Sequence, residues 1–215
     1  MQLFTYFRSS AVYRVRIALN LKGLQPEPHY IHLLKDGGQQ HKPEFKAVNP
    51  QGFVPALVDE GHTLTQSLAI IEYLEETHPE PPLLPKDAAG RARVRALALA
   101  IACDIHPLNN QRIMKYLEKE FGADEAARRR WVQHWVAEGF TALEQLLAGN
   151  PDTGKCCHGD APTLADICLV PQVFNAKRFE VYLATFPTIR RINDHCLKLK
   201  AFIDAAPDKQ PDASA

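Results

Sequence analysis

No stretch of this 215-residue chain stays apolar for the roughly 20 residues that a bilayer span requires. The opening MQLFTYFRSS also lacks the extended apolar region and small-residue cleavage site of a secretory leader, so a cytoplasmic protein without membrane attachment is expected. Charge of either sign is not in excess, with 25 Lys and Arg against 25 Asp and Glu. A nucleic acid or anionic surface therefore meets no general attraction, and any basic site must be local. The five cysteines contain no C-x-x-C, and their odd number excludes a fully paired framework. Cys156, Cys157 and His158 are consecutive, which is poor geometry for converging on one ion, and no second ligand pair has metal spacing; no metal is expected. What remains is an ordinary globular composition, 46% hydrophobic and 23% charged, enough for one large core or two modest ones.

A local absence is more telling. The stretch FRSSAVYRVRIALNLKG, residues 7–23, reads as a strand ending in a helix that stops at Gly23. Helix starts attract acids because their unpaired N–H groups carry partial positive charge. Here Arg8, Arg14 and Arg16 crowd the first turns and no acid appears, so the missing anion is expected to be a ligand.

Around that stretch the order is β-α-β, a polar loop, then β-β-α. Strands are expected at 2–7 and 28–33, a helix over 10–22, and a hairpin in which VPALV and HTLT flank an Asp-Glu-Gly turn. Ser67 is placed as the cap of a helix ending near His78. The prolines of PEPPLLP, residues 79–85, cannot continue a helix and mark a boundary between domains 1–82 and 83–215. Beyond it, helices are expected over 88–105, 109–121, 124–148, 163–179 and 187–199, with TLAD at 163–166 forming a capping box. A bend at Pro107 would turn His106, Asn110 and Arg112 toward the first domain, and the polar tail APDKQPDASA is expected to fray. The fold class is thus α/β plus all-α.

Four segments in order, RSSAVYRVRIAL, NPQGFVPAL, QSLAIIEYLEE and CDIHPLNN, resemble the zeta class of the glutathione transferases, and the likeness covers nearly the whole chain. The class signature S-S-C-S-W-R-V-R-I-A-L has a cysteine where this chain has Ala11. The resemblance implies an N-terminal thioredoxin-like domain, a C-terminal helical bundle, glutathione as cofactor and a homodimer. It further implies isomerisation of a small dicarboxylate such as maleylacetoacetate, with maleylpyruvate as the alternative. Side activity on halo acids and a non-catalytic glutathione-fold protein are the other readings. A thiol-disulfide reductase is disfavoured, because Ala11 removes the one well-placed sulfur.

With a pKa of about 8.5, a free thiol is only about 3% ionised at neutral pH, so the protein's task is to stabilise the thiolate. Ser9 is the leading hydroxyl donor and Ser10 the second, with Arg14 and the first-turn N–H groups supplying positive potential. By resemblance, the backbone of Val54 before a cis Pro55 pairs with the glutathione cysteinyl unit, Gln66 and Ser67 hold the γ-glutamyl carboxylate, and Gln40 meets the glycyl end. Asn110 and Arg112 are assigned to the same ligand by resemblance; Arg8, His106 and Arg178 are assigned to substrate. Tyr6 reads as core, and Arg128 to Arg130 as a solvated face.

Overall fold

The computed structural model describes residues 1–214, and chain contacts divide it into two units. One comprises Met1–Pro82 together with the segment from Lys198 onward; the other is Leu83–Leu197. The sequence reading grouped that last segment with the helices before it, whereas its contacts are with the amino-terminal unit.

In the first unit a four-stranded sheet has the order β2-β1-β3-β4, from β1 (Gln2–Thr5), β2 (Glu27–Tyr30), β3 (Ala56–Asp59) and β4 (His62–Thr65). β1 pairs parallel with β2 and antiparallel with β3, with Leu3 opposite Leu57, and β3 turns directly into β4. That two-residue turn places Glu60 and Gly61 at φ 47° and 81°, the double positive φ that matches strand twist. β1 stops at Thr5, short of the expected Phe7, because Tyr6 already enters the turn in which Ser9 N–H bonds its carbonyl at 3.1 Å. β2 likewise ends at Tyr30 rather than residue 33.

Helix α1 (Ser10–Leu21) buries Val12, Val15, Ile17, Ala18 and Leu19, and Gly23 at φ 69° follows its end. The polar loop carries a short helix, α2 (Pro43–Val48), that periodicity missed because fewer than two turns are too short to show a pattern. α3 (Ser67–Thr77) completes the unit, with Lys22 buried and ion-paired to Glu75 at 2.6 Å. As far as Ser214 the tail does not fray. Two short turns at Pro207–Lys209 and Pro211–Ser214 hold it, and Pro207 and Asp212 are buried.

The second unit is helical: α4 (Ala88–Leu99), α5 (Gln111–Phe121), α6 (Glu125–Leu147), α7 (Leu164–Arg178) and α8 (Pro187–Cys196); α9 (Lys200–Ala205) belongs to the first unit. The expected helix over 88–105 changes pitch rather than running through: α4 gives way to a wide π turn over Ala100–Ile105 and then a 3-10 turn over His106–Asn109. Pro107 has no N–H to continue an α-helical ladder, which accounts for the change at its end. Gly139 of α6 lies against this segment so closely that a Cβ would sit 2.3 Å from the Ile105 side chain. The capping box at Thr163 is present, and its Asp166 also accepts the Cys157 N–H at 2.8 Å.

Candidate active site

The turn between β1 and α1 presents Arg8, Ser9 and Ser10. Ser9 caps α1, its Oγ accepting the Val12 N–H at 3.3 Å. Acceptance uses a lone pair and leaves the hydroxyl proton to be donated elsewhere, so capping and anion binding coexist in one group. No acid lies in the first turn. Ser9, Ser10 and Ala11 are half-buried, whereas Arg8 is exposed with its guanidinium 4.8 Å from the centroid of the Phe7 ring. Arg14 is buried, and Nη1 donates to Ser67 Oγ at 3.3 Å. Its charge therefore lies toward the start of α3 as well as beneath α1. Tyr6 packs with Val12, Phe45 and Val54, the core position that strand alternation suggested.

The second edge of the site is built by the loop after α2. Asn49 is buried; it donates to Phe53 O at 2.7 Å and accepts the Gln51 N–H at 3.1 Å, fixing the NPQGFVP turn. The Val54-Pro55 peptide is cis, and Val54 lies just outside the sheet ladder, which begins at Ala56. Gln66 and not Ser67 is the cap of α3, which corrects the expected capping role. Gln66 has φ 69° and ψ 118°, a left-handed backbone that costs a non-glycine residue about 1–3 kcal/mol and concentrates at ligand sites. Its side chain donates to Gln51 Oε1 at 2.9 Å, tying the two loops together. Gln40 is buried, donating to Leu33 O at 3.3 Å, while its Oε1 has no hydrogen-bond partner among the described residues.

In the helical unit, Asn110 caps α5 through its Oδ1, which accepts the Arg112 N–H at 3.0 Å; Arg112 itself is exposed. His106 is half-buried in the 3-10 turn. Arg178, exposed at the end of α7, stacks 5.1 Å from the Phe179 ring.

Two arrangements were not visible in the spacing. Cys156, Asp166 and Cys196 bring one ligand atom each within 4.8 Å of one another. Both Asp166 oxygens are already committed to Thr163 and Cys157 donors, and a hydrogen bond with Cys156, followed by burial, pushes the Cys196 thiol up, away from the ionised form a metal needs. The other is Arg16, buried on α1, whose Nε donates to Ala205 O at 3.0 Å and Nη2 to Phe7 O at 2.9 Å. An arginine within the apolar run of α1 was its only trace in the sequence.

Residues 3–82 match the sequence profile of the glutathione S-transferase N-terminal domain. Over 216 aligned residues, covering 100% of both chains, the protein is 50% identical to the maleylacetoacetate isomerase of Pseudomonas aeruginosa. The holo structure of a bacterial maleyl pyruvate isomerase, itself a zeta-class enzyme, superposes with a TM-score of 0.96 at 53% identity, covering 99% of this chain and 100% of that one. A maleylacetoacetate isomerase from Methylobacterium extorquens, solved with bound malonate and GSH, gives 0.95 at 42% identity and 100% coverage of both. A likeness of this extent, in sequence along the whole chain and in fold, settles the kinship: the chain belongs to the zeta class of the glutathione S-transferases.

Proposed function

We propose that this protein is a glutathione-dependent cis-trans isomerase that converts maleylacetoacetate to fumarylacetoacetate. The observation that carries the reading is the acid-free start of α1, where Ser9 keeps a donatable proton while capping the helix. Bound glutathione supplies a thiolate that adds reversibly to the cis double bond and so frees it to rotate. The chain's own residues do the rest. Ser9, seconded by Ser10, donates a hydrogen bond to the sulfur anion, and the α1 N–H groups with Arg14 hold its charge. Val54 offers backbone N–H and C=O to an added strand. Gln66 and Ser67 hold the γ-glutamyl carboxylate at the α3 start, where the strain at Gln66 keeps its N–H and side chain aimed at one place. Gln40, whose Oε1 is an acceptor in reserve, takes the N–H at the glycyl end, and Asn110 and Arg112 are assigned to the same ligand by family likeness.

Arg8 holds a substrate carboxylate: it immediately precedes the sulfur site and its fork is exposed. Arg178 and His106 are assigned to substrate from the likeness alone. We also read the protein as a cytoplasmic homodimer, which sedimentation equilibrium checks; among the described residues no helix is long and apolar enough to cross a membrane.

Assay of the purified protein with maleylacetoacetate and with maleylpyruvate, each with and without glutathione, tests the reading. Turnover of maleylacetoacetate that requires glutathione and leaves it unconsumed is expected; no turnover of either acid overturns it. The 53% identity to a maleyl pyruvate isomerase favours that substrate as a second reading, since one methylene is worth only about 1–3 kcal/mol in a pocket.

Two substitutions separate the roles. Ser67→Ala should weaken glutathione binding about tenfold by calorimetry while leaving the bound thiol's titration midpoint in place. A lower melting temperature with unchanged affinity would reduce Ser67 to a partner for Arg14. Arg8→Lys keeps charge but loses the planar fork, so turnover of the dicarboxylate should fall well below that of an uncharged electrophile such as chlorodinitrobenzene. Equal losses toward both would mean that Arg8 supports the fold instead.

A further inference from the structure

The Tyr6–Phe7 peptide, one step before Arg8 and Ser9, is gripped from outside its own element. Phe7 N–H donates to Asp212 Oδ2 at 2.8 Å. The Tyr6 and Phe7 carbonyls accept from Arg16 Nη1 and Nη2 at 3.4 and 2.9 Å, while Arg16 Nε donates to Ala205 O at 3.0 Å. Arg16 and Asp212 are buried, at 7% and 9% exposure, and Asp212 Oδ1 accepts nothing further among the described residues. A carboxylate in that condition is costly unless its bond to the chain is worth keeping. The tail carrying it is otherwise held by short turns and by α9 against α1: Tyr13 Oη donates to Phe202 O at 3.4 Å and Asn20 Nδ2 to Ala201 O at 2.9 Å. Arg16 is therefore clamped between the strand exit and the tail, and Asp212 is the counter-charge that favours its cationic form against burial.

The consequence falls on Arg8. Among the described residues the turn at residues 7 and 8 has no ladder partner after β1 ends at Thr5, so the direction of the chain into Ser9 is set by these bonds and by the Ser9-to-Tyr6 turn bond. The Arg8 guanidinium rests on the ring of Phe7, the residue that Asp212 holds by its backbone. We propose that Asp212 is a positioning residue for the substrate carboxylate: through the Phe7 N–H it fixes the turn from which Arg8 reaches the dicarboxylate. This rests on the reading of Arg8 given above.

Dicarboxyethyl glutathione, an adduct bearing two added carboxylates, is the probe, with glutathione as its control, and binding is read by calorimetry. Asp212→Glu keeps the charge beside Arg16 but moves the acceptor by one methylene. It should weaken the adduct about tenfold relative to glutathione, the loss of roughly one aligned charge-assisted bond, with little change in melting temperature. Asp212→Asn, which retains an acceptor for Phe7 N–H at the same reach, should preserve most of the preference for the adduct. The Arg8→Ala variant distinguishes the two layers. If Arg8→Ala leaves adduct binding intact, the reading of Arg8 fails. If Arg8→Ala weakens the adduct while Asp212→Glu changes adduct and glutathione equally or not at all, Arg8 stands and Asp212 is only a structural anchor.

Discussion

Replacing Asp166 by alanine is expected to lower the unfolding free energy of the helical unit by about 3–5 kcal/mol, a large part of what holds an ordinary domain together. Asp166 is fully buried, and three nitrogen and oxygen donors converge on it, Thr163 N–H and Oγ1–H on Oδ2 and Cys157 N–H on Oδ1, each at 2.8 Å, with the Cys196 thiol a weaker fourth at 4.0 Å. Burial raises the carboxyl's pKa, and those donors offset part of that rise. Truncation removes the acceptor but leaves the donors buried, so each forfeits its bond without gaining water, and their summed desolvation sets the magnitude. The bonds also fasten two segments at once, the start of α7 and the loop around Cys157, whose carbonyl in turn accepts from Arg93 at 2.7 Å. Thr163→Ala is the control, because it removes one hydroxyl and leaves both backbone donors paired; it should cost about 1 kcal/mol. Urea denaturation of the two variants decides the matter. Should Asp166→Ala cost no more than Thr163→Ala, Asp166 is an ordinary helix cap and the loop is held by other contacts.

The T-x-x-D spacing that announces this cap is a local pattern, and patterns of that kind were legible. So were the alternating strands, the apolar spacing of α1 and the hairpin turn, because each is written within a window of a few residues. The serine pair and the shortage of acid around it were legible too, as an electrostatic mismatch in one helix start. What could not be read was whatever depends on contact across long sequence separation. Nothing near Asp212 distinguishes it from a solvated acid in a polar tail, yet it bonds Phe7, 205 residues away. Composition predicted fraying; the burial of Pro207 and the carbonyl of Ala205 facing Arg16 overrode it. Gln66 and Ser67 were identified as a pair, but which of them caps α3 was decided by the left-handed backbone at Gln66, and no propensity favours that conformation in glutamine. The π turn at Ala100–Ile105 is a similar case, since its apolar spacing resembles a continuing α-helix and only Gly139 on α6 hints that something packs unusually close.

Ser9→Ala is expected to lower isomerase turnover by about 10- to 100-fold while changing glutathione affinity little. In the binding mode proposed above the tripeptide is held mainly by its backbone and its two carboxylate ends, none of which the Ser9 hydroxyl is assigned to meet. Its loss therefore falls on the sulfur. A hydrogen bond to an anion contributes about 1.5–3 kcal/mol, which corresponds to raising the bound thiol's midpoint by roughly 1 to 2 units. The direction follows from which form is stabilised: the hydroxyl proton favours the thiolate, so removing it moves ionisation to higher pH and depletes the nucleophile at neutrality. Titrating the ultraviolet thiolate absorbance of the glutathione complex reads this without turnover, and raising the assay pH should recover part of the lost rate. Alanine also removes the acceptor of the Val12 N–H, so some loss of melting temperature accompanies the change, about 1 kcal/mol for a helix cap. Ser9→Gly separates the two effects, because glycine is tolerated at the cap but donates nothing from a side chain: it should keep most of the stability and show the same raised midpoint. If the midpoint stays where it is in both variants, the sulfur is held by Ser10 or by the N–H groups of the first turn, and the hydroxyl of Ser9 is a cap and nothing more.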